Sequence, residues 1–111
     1  MATPDFSAIF DQLKKDVVSL AELTVKRYVK EAKDDGKKML TEMKDNLQRW
    51  TLQLSKGDLT TQDFEWLVFS QKDLLLMEGL KRSGLAAIRA EQFKNSVLSL
   101  VIDTIFNMIK I

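Results

Sequence analysis

The apolar residues of this chain recur every eleven positions, in one ladder through the first half and another through the second. The first ladder is Phe6, Val17, Tyr28, Met39 and Trp50, with Phe10, Ala21, Ala32, Met43 and Leu54 on the adjacent row, and the second is Phe64, Leu75, Ala86, Val97 and Met108. Eleven residues make three turns of an α-helix, so each row stays on one side of a nearly straight helix. The repeat therefore predicts long helices.

The composition also favours an all-α domain. The 111 residues are 45% hydrophobic and 30% charged, which is ordinary for a folded protein, and they include only four Gly and one Pro. Strands need turn residues at short intervals, and this chain has no recurring turn chemistry. We therefore expect a single helical domain over residues 1–111.

Start and stop signals divide the chain into two arms. Residues 3–5, Thr-Pro-Asp, can open a helix because Thr caps free N–H groups and Pro suits the first helical position. Residues 56–58, Lys-Gly-Asp, can end a helix, since Gly accepts the left-handed conformation found there. Thr60 and Asp63 then form an acidic variant of the capping box and start the next helix.

These signals predict a long antiparallel helical hairpin that associates into a bundle, with helices at about 4–55 and 60–110 and a kink or break near 79–84. The alternative is a compact three- or four-helix bundle within one chain. Folding the hairpin at its turn sets Gly36 opposite Gly79. We interpret that match as a coincidence rather than as a close approach of two backbones.

The second arm carries more apolar side chains than one helix seam can bury. Each large apolar side chain left in water forgoes about 1.5–3 kcal/mol of burial, and large exposed patches mark interaction surfaces. We predict an interface with a second copy, a dimer being favoured, or with another helical protein. Its residues are Trp66, Phe69, Leu76, Met77, Leu80, Leu98, Ile102, Ile105, Phe106 and Ile109.

The chain contains neither His nor Cys. Their absence removes thiolate chemistry, the commonest metal ligand and the side chain most used for proton transfer near neutral pH. The serines have no candidate histidine base, and no Gly-rich phosphate loop of the Walker type is found. We therefore expect no catalytic, cofactor-binding or metal-binding residues and a protein that is not an enzyme.

Two functions fit these features. The leading hypothesis is a non-enzymatic helical interaction or assembly module, a scaffold, adaptor or structural oligomer, that uses the apolar second arm as its interface. The alternative is a peripheral protein whose amphipathic helices bind lipid or another hydrophobic surface, since such helices combine an apolar face with a Lys-rich face. Acids interrupt the basic stripe from Lys26 to Lys44, which we interpret as a solvated face rather than a nucleic-acid site. Without a recognisable signal peptide, a cytoplasmic location is expected.

Overall fold

The computed structural model describes residues 4–75 and 77–110. Its five α-helices are α1 (Phe6–Thr24), α2 (Val29–Lys56), α3 (Thr61–Ser70), α4 (Glu78–Arg82) and α5 (Ala87–Ile109). Two short 3₁₀ segments, Lys26–Tyr28 and Gln71–Leu74, precede α2 and follow α3. Since the described residues contain no strand, the predicted all-α fold class is confirmed.

The helices form the four arms of an up-and-down bundle that measures 47 × 23 × 19 Å. α1, α2 and α5 are one arm each, and α3 and α4 together make a broken arm. α1 packs against α2 and α5, and the broken arm packs against the same two helices. The compact bundle given as the alternative is therefore the correct architecture, and the long two-helix hairpin is wrong.

The first predicted rod breaks at Val25, where the backbone leaves the helical region with φ −128° and ψ 60°. We expected one helix over residues 4–55 with a weak point at Gly36, but Gly36 lies inside α2. The break falls instead at Thr24 and Val25, two β-branched residues of low helix propensity. Turning back here lets the apolar stripe of α1 face two helices, and Val17 in that stripe is fully buried.

The predicted turn after α2 is confirmed. Gly57 has a φ of 83°, the left-handed conformation that ends the helix, and its N–H donates to the Leu54 carbonyl at 3.2 Å. Thr60 then caps α3, because its Oγ1 accepts from the Asp63 N–H at 3.0 Å. The Asp63 carboxylate accepts in return from the Thr60 N–H at 3.2 Å, which completes the predicted capping box.

Asp35 of α2 holds one side of the break in the third arm. Its carboxylate, in a residue only 7% exposed, accepts hydrogen bonds from the N–H groups of Gly79 at 3.1 Å and Leu80 at 2.8 Å. These are the second and third N–H groups of α4, whose own N-cap residue Met77 makes no capping bond with its side chain. Asp35 therefore supplies from a neighbouring helix the cap that α4 lacks.

Lys94 of α5 holds the other side of the break. Its Nζ donates to the carbonyl oxygens of Lys72 at 2.8 Å and Leu75 at 3.0 Å, and it pairs with Glu91 at 3.0 Å. The Lys72 carbonyl also accepts from the Leu75 N–H at 3.4 Å, and the Leu75 carbonyl lies just after the 3₁₀ segment, where the helix does not continue. Two buried side chains of opposite charge type thus bind backbone groups on the two sides of the break.

Gly36 and Gly79 are both required by close packing. A Cβ on Gly79 would lie 2.7 Å from Asp35 Oδ1, and a Cβ on Gly36 would overlap with Val17 Cγ1. The predicted register was right, because Gly79 meets α2 at residue 35. Each glycine gives room to a different neighbour, Gly36 to Val17 and Gly79 to Asp35, so the two do not share one contact, in agreement with the interpretation of their match as a coincidence.

Candidate functional site

The structure buries half of the residues predicted to form a partner interface. Met77, Leu80, Leu98, Ile102 and Ile105 are at most 4% exposed and belong to the core. Breaks in both predicted rods let four arms cover one another, so these side chains face inward. We therefore correct their assignment: they are core residues, and the second arm as a whole is not kept as an interface.

Four other members of the predicted interface reach the surface. Phe69, Phe106 and Ile109 are half-buried and pack against the core, whereas Trp66 is 71% exposed. Leu76 lies outside the described residues. The predicted interface residues that reach the surface therefore lie on α3 and at the end of α5.

The outer face of α3 combines aromatic and acidic side chains. Trp66 and Phe69 are three residues apart and so are neighbours on one side of the helix, with Asp63 three residues before Trp66 and the exposed Glu65 beside it. α3 contains two acidic residues and no basic one. We call these four residues, Asp63, Glu65, Trp66 and Phe69, the α3 surface.

α3 is held in place from both its start and its inner face. The capping box fixes its first turn. Phe64 and Val68 are fully buried, and the ring of Phe64 packs on that of Phe106 in α5 with centroids 5.6 Å apart. Trp66 is therefore presented by a packed helix rather than by a loop, which lowers the entropy lost when it is covered.

A second candidate surface lies where α1 turns into α2 and α4 turns into α5. The two turns are adjacent, because a Cβ on Gly84 would lie 4.0 Å from Tyr28 Oη. A small cavity of about 190 Å³ between them is lined by residues from both, including Val25 and Leu85. We call residues 22–33 and 78–91 the basic end, because they hold seven Lys or Arg against four Glu, with Asp34 the next acid along α2.

Most acids of the basic end are already paired. Glu22 pairs with Lys33 at 3.3 Å, Glu78 with Arg82 at 3.7 Å, and Glu91 with Lys81 at 3.6 Å. The hydrogen bond from Lys94 lowers the pKa of Glu91, and the two lysine charges add to this effect. Within residues 4–75 and 77–110, four exposed bases of this end make no ion pair: Lys26, Arg27, Lys30 and Arg89.

The basic end also carries two strongly exposed aliphatic side chains. Leu23, the residue before the last in α1, is 75% exposed, and Ile88, the second residue of α5, is 69% exposed. Both lie within one helical turn of the end of the bundle. Exposed aliphatic side chains next to unpaired bases distinguish this end from the α3 surface, where aromatic and acidic side chains meet.

A polar surface groove of about 510 Å³ lies between α1 and α5. It is lined by Asp16, Asn95, Ser96, Ser99, Leu100, Asp103, Thr104 and Asn107. Asp16 is fully engaged there, since one carboxylate oxygen accepts from Thr104 Oγ1 and the other from Gln12 Nε2, both at 2.8 Å. The hydrogen bond from Thr104 to Asp16 thus ties α5 to α1 across the groove.

Buried ionisable groups often mark reactive sites, but Asp35 and Lys94 bind backbone groups here. Among the described residues, no three acidic side chains come together in a group that could hold a metal ion. The same part of the chain has no helix with the length and apolar character needed to cross a membrane. Comparisons with protein-family models, curated proteins and solved structures give no match.

Proposed function

We propose that this protein is a non-enzymatic interaction module that binds a basic amphipathic helix of another protein through the α3 surface. The exposure of Trp66 on a rigid helix is the observation that carries the proposal. Tryptophan is enriched among the residues that dominate binding energy at interfaces. An amphipathic helix that lies along α3 can cover Trp66 and Phe69 with its apolar face.

The charge of the α3 surface selects the partner. Asp63 and Glu65 flank the aromatic pair, and α3 has no base to neutralise them. A partner with Lys or Arg beside its apolar face places opposite charges together at the rim, where they favour encounter and fix the register. The interaction should therefore weaken as salt rises, because exposed charge pairs are screened.

A second copy of this chain fits the same surface less well. A two-fold contact brings the same patch of both copies together, so it would set the acids of α3 against each other. The main support for a homodimer was the apolar excess of the second arm, and most of that excess is buried within the chain. We therefore propose a different protein as the partner.

The test begins by finding the partner at the proposed surface. A photo-crosslinking amino acid in place of Gln62, one turn before Trp66, should capture a protein in the cells that make this chain, and the same label in place of the exposed Thr41 on α2 should not. The captured protein is then purified, and its Kd is measured for the wild type, Trp66→Ala and the control Leu74→Ala. Leu74 is as exposed as Trp66, at 72%, but lies outside α3.

Trp66→Ala should weaken binding at least about tenfold, and Leu74→Ala by less than about threefold. Glu65→Lys should also weaken binding, and the loss of affinity should be larger at low salt than at high salt. The proposal is wrong if both labels capture the same proteins or none. It is equally wrong if the partner is a second copy or an acidic protein, or if Trp66→Ala binds as tightly as the wild type.

A further inference from the structure

We infer that the basic end docks on the surface of an anionic lipid bilayer, with Leu23 and Ile88 entering the layer between headgroups and acyl chains. This inference is independent of the α3 surface, because it rests on other residues at one end of the bundle. It also differs from membrane spanning, since it needs side chains at the tip rather than a long apolar helix.

The two turns of the basic end lie next to each other, and the exposed aliphatic residues lie beside them. The 3₁₀ segment Lys26–Tyr28 and the turn around Gly84 lie side by side, as the approach of Gly84 to Tyr28 Oη shows. Leu23 directly precedes Thr24, and Ile88 directly precedes Arg89, and both Thr24 and Arg89 line the cavity between the two turns. Both aliphatic side chains therefore flank one small region of the tip.

The charges around that region complement an anionic surface. Lys26, Arg27 and Lys30 follow Leu23 within two turns, and Arg89 follows Ile88 directly. None of these four bases has an acidic partner in the described part of the chain, so their charges are available to lipid headgroups. Basic residues near a membrane attract anionic lipids over about a Debye length.

The first turn of α5 adds to the positive potential. Its N-cap, Ala86, makes no side-chain hydrogen bond, and the first turn contains no acid. Arg89 instead puts a positive charge at the positive end of the helix dipole, which is the reverse of the arrangement that stabilises a helix start. An anionic surface next to this turn relieves that repulsion.

The aliphatic side chains favour lipid over nucleic acid as the occupant. Nucleic-acid binding depends on phosphate contacts by bases and on aromatic stacking or base contacts, in which exposed Leu and Ile have little part. A bilayer surface offers anionic headgroups and, a few ångströms deeper, an apolar layer for Leu23 and Ile88. The pairing of the two kinds of residue at the tip therefore matches a bilayer.

The test is co-sedimentation of the purified full chain with vesicles. One set contains phosphatidylcholine with about one third phosphatidylserine, and the other contains phosphatidylcholine alone. The variants are Leu23→Ser/Ile88→Ser, which removes the aliphatic contacts, and Lys26→Glu/Lys30→Glu, which reverses two charges. The matched controls are Leu74→Ser for the apolar change and Lys15→Glu/Lys56→Glu for the charge change. All seven residues changed in these four variants are exposed, so helicity by circular dichroism should match the wild type.

The wild type should bind the anionic vesicles and leave the neutral ones unbound. Each basic-end variant should lower the partition coefficient at least about tenfold, and each control by less than about threefold. The inference fails if the wild type does not bind the anionic vesicles, or if the controls lose as much binding as the basic-end variants. It also fails if a single-stranded oligonucleotide binds more tightly than the vesicles and Leu23→Ser/Ile88→Ser leaves that binding unchanged, which would assign the end to nucleic acid.

Discussion

Asp35 Oδ1 accepts a hydrogen bond of 3.1 Å from the backbone N–H of Gly79, and the two residues belong to different arms of the bundle. The carboxylate can come this close because Gly79 has no Cβ, which would lie 2.7 Å from the same oxygen. A buried charge on α2 therefore determines where α4 begins. The cap and the glycine that admits it depend on each other.

Asp35→Ala should lower the free energy of unfolding by about 2 kcal/mol. The variant leaves the part-buried N–H of Gly79 and the buried N–H of Leu80 without an acceptor, and the loss of an N-cap alone costs about 1 kcal/mol. Urea unfolding followed by circular dichroism measures the change. Asp34→Ala is the matched control, since Asp34 is the exposed neighbour on the same helix and should change stability by less than about 0.5 kcal/mol. Equal losses in the two variants would contradict the capping role.

Gly36→Ala should destabilise the protein although Ala is the better helix former. The gain in helix propensity is about 1 kcal/mol, whereas the new Cβ overlaps with Val17 and forces the two helices apart, at a cost of about 1–3 kcal/mol. Val17→Ala removes the opposing methyl groups and leaves a cavity, which is also destabilising. The double variant should be more stable than the sum of the two single effects predicts. A double-mutant cycle by urea unfolding checks this coupling, and simple additivity would contradict the contact.

Local signals in the sequence predicted the elements that depend on local chemistry. The Gly57 turn and the capping box between Thr60 and Asp63 involve residues at most four apart, and both are as predicted. The eleven-residue rows likewise identified core positions such as Phe64 and Val97, which are fully buried. Short-range hydrogen bonding and helical periodicity were enough for these features.

The break at Val25 depends on packing, which the sequence pattern did not reveal. The apolar row continues through residue 28 without a change of phase, so periodicity alone favoured one long helix. The burial gained by packing the apolar stripe of α1 against two helices outweighed the continuity of a single long helix. With the arms miscounted, core side chains such as Leu98 and Ile105 were assigned to an interface, whereas the exposed Leu23 and Ile88 were not singled out.

Stability should fall with acid in part through Glu91. Lys94 first of all, and then Lys81, lower the pKa of Glu91 in the folded protein below its ordinary value of 4.5. The ionised form is therefore favoured by folding: its contribution is present above about pH 4.5 and is lost as the pH falls through the lower folded-state pKa. Because the Glu91 side chain is 44% exposed, the contribution is about 0.5 kcal/mol or less.

Glu91→Gln measures that contribution directly. The difference in unfolding free energy between the wild type and the variant should be largest near neutral pH and should shrink as the pH falls below about 4. Glu65→Gln, on the exposed face of α3, serves as the control and should show no comparable dependence within error. A Glu91 difference that grows toward acid would have the wrong sign and would contradict the assignment.

Lys94→Met should loosen the break in the third arm more than it loosens the rest of the bundle. Methionine fills similar space but cannot donate to the Lys72 and Leu75 carbonyls. The Lys72 carbonyl keeps the hydrogen bond from the Leu75 N–H, whereas the Leu75 carbonyl loses its donor, and a buried carbonyl without a donor costs about 1–3 kcal/mol. Hydrogen exchange followed by mass spectrometry should therefore show faster exchange in residues 71–82. After correction for the change in global stability, α1 and α2 should exchange at nearly the wild-type rate. Lys72→Met is the control, because the Lys72 side chain is exposed and only its carbonyl takes part. Uniformly faster exchange along the whole chain would show that Lys94 supports the fold in general and does not hold this segment in particular.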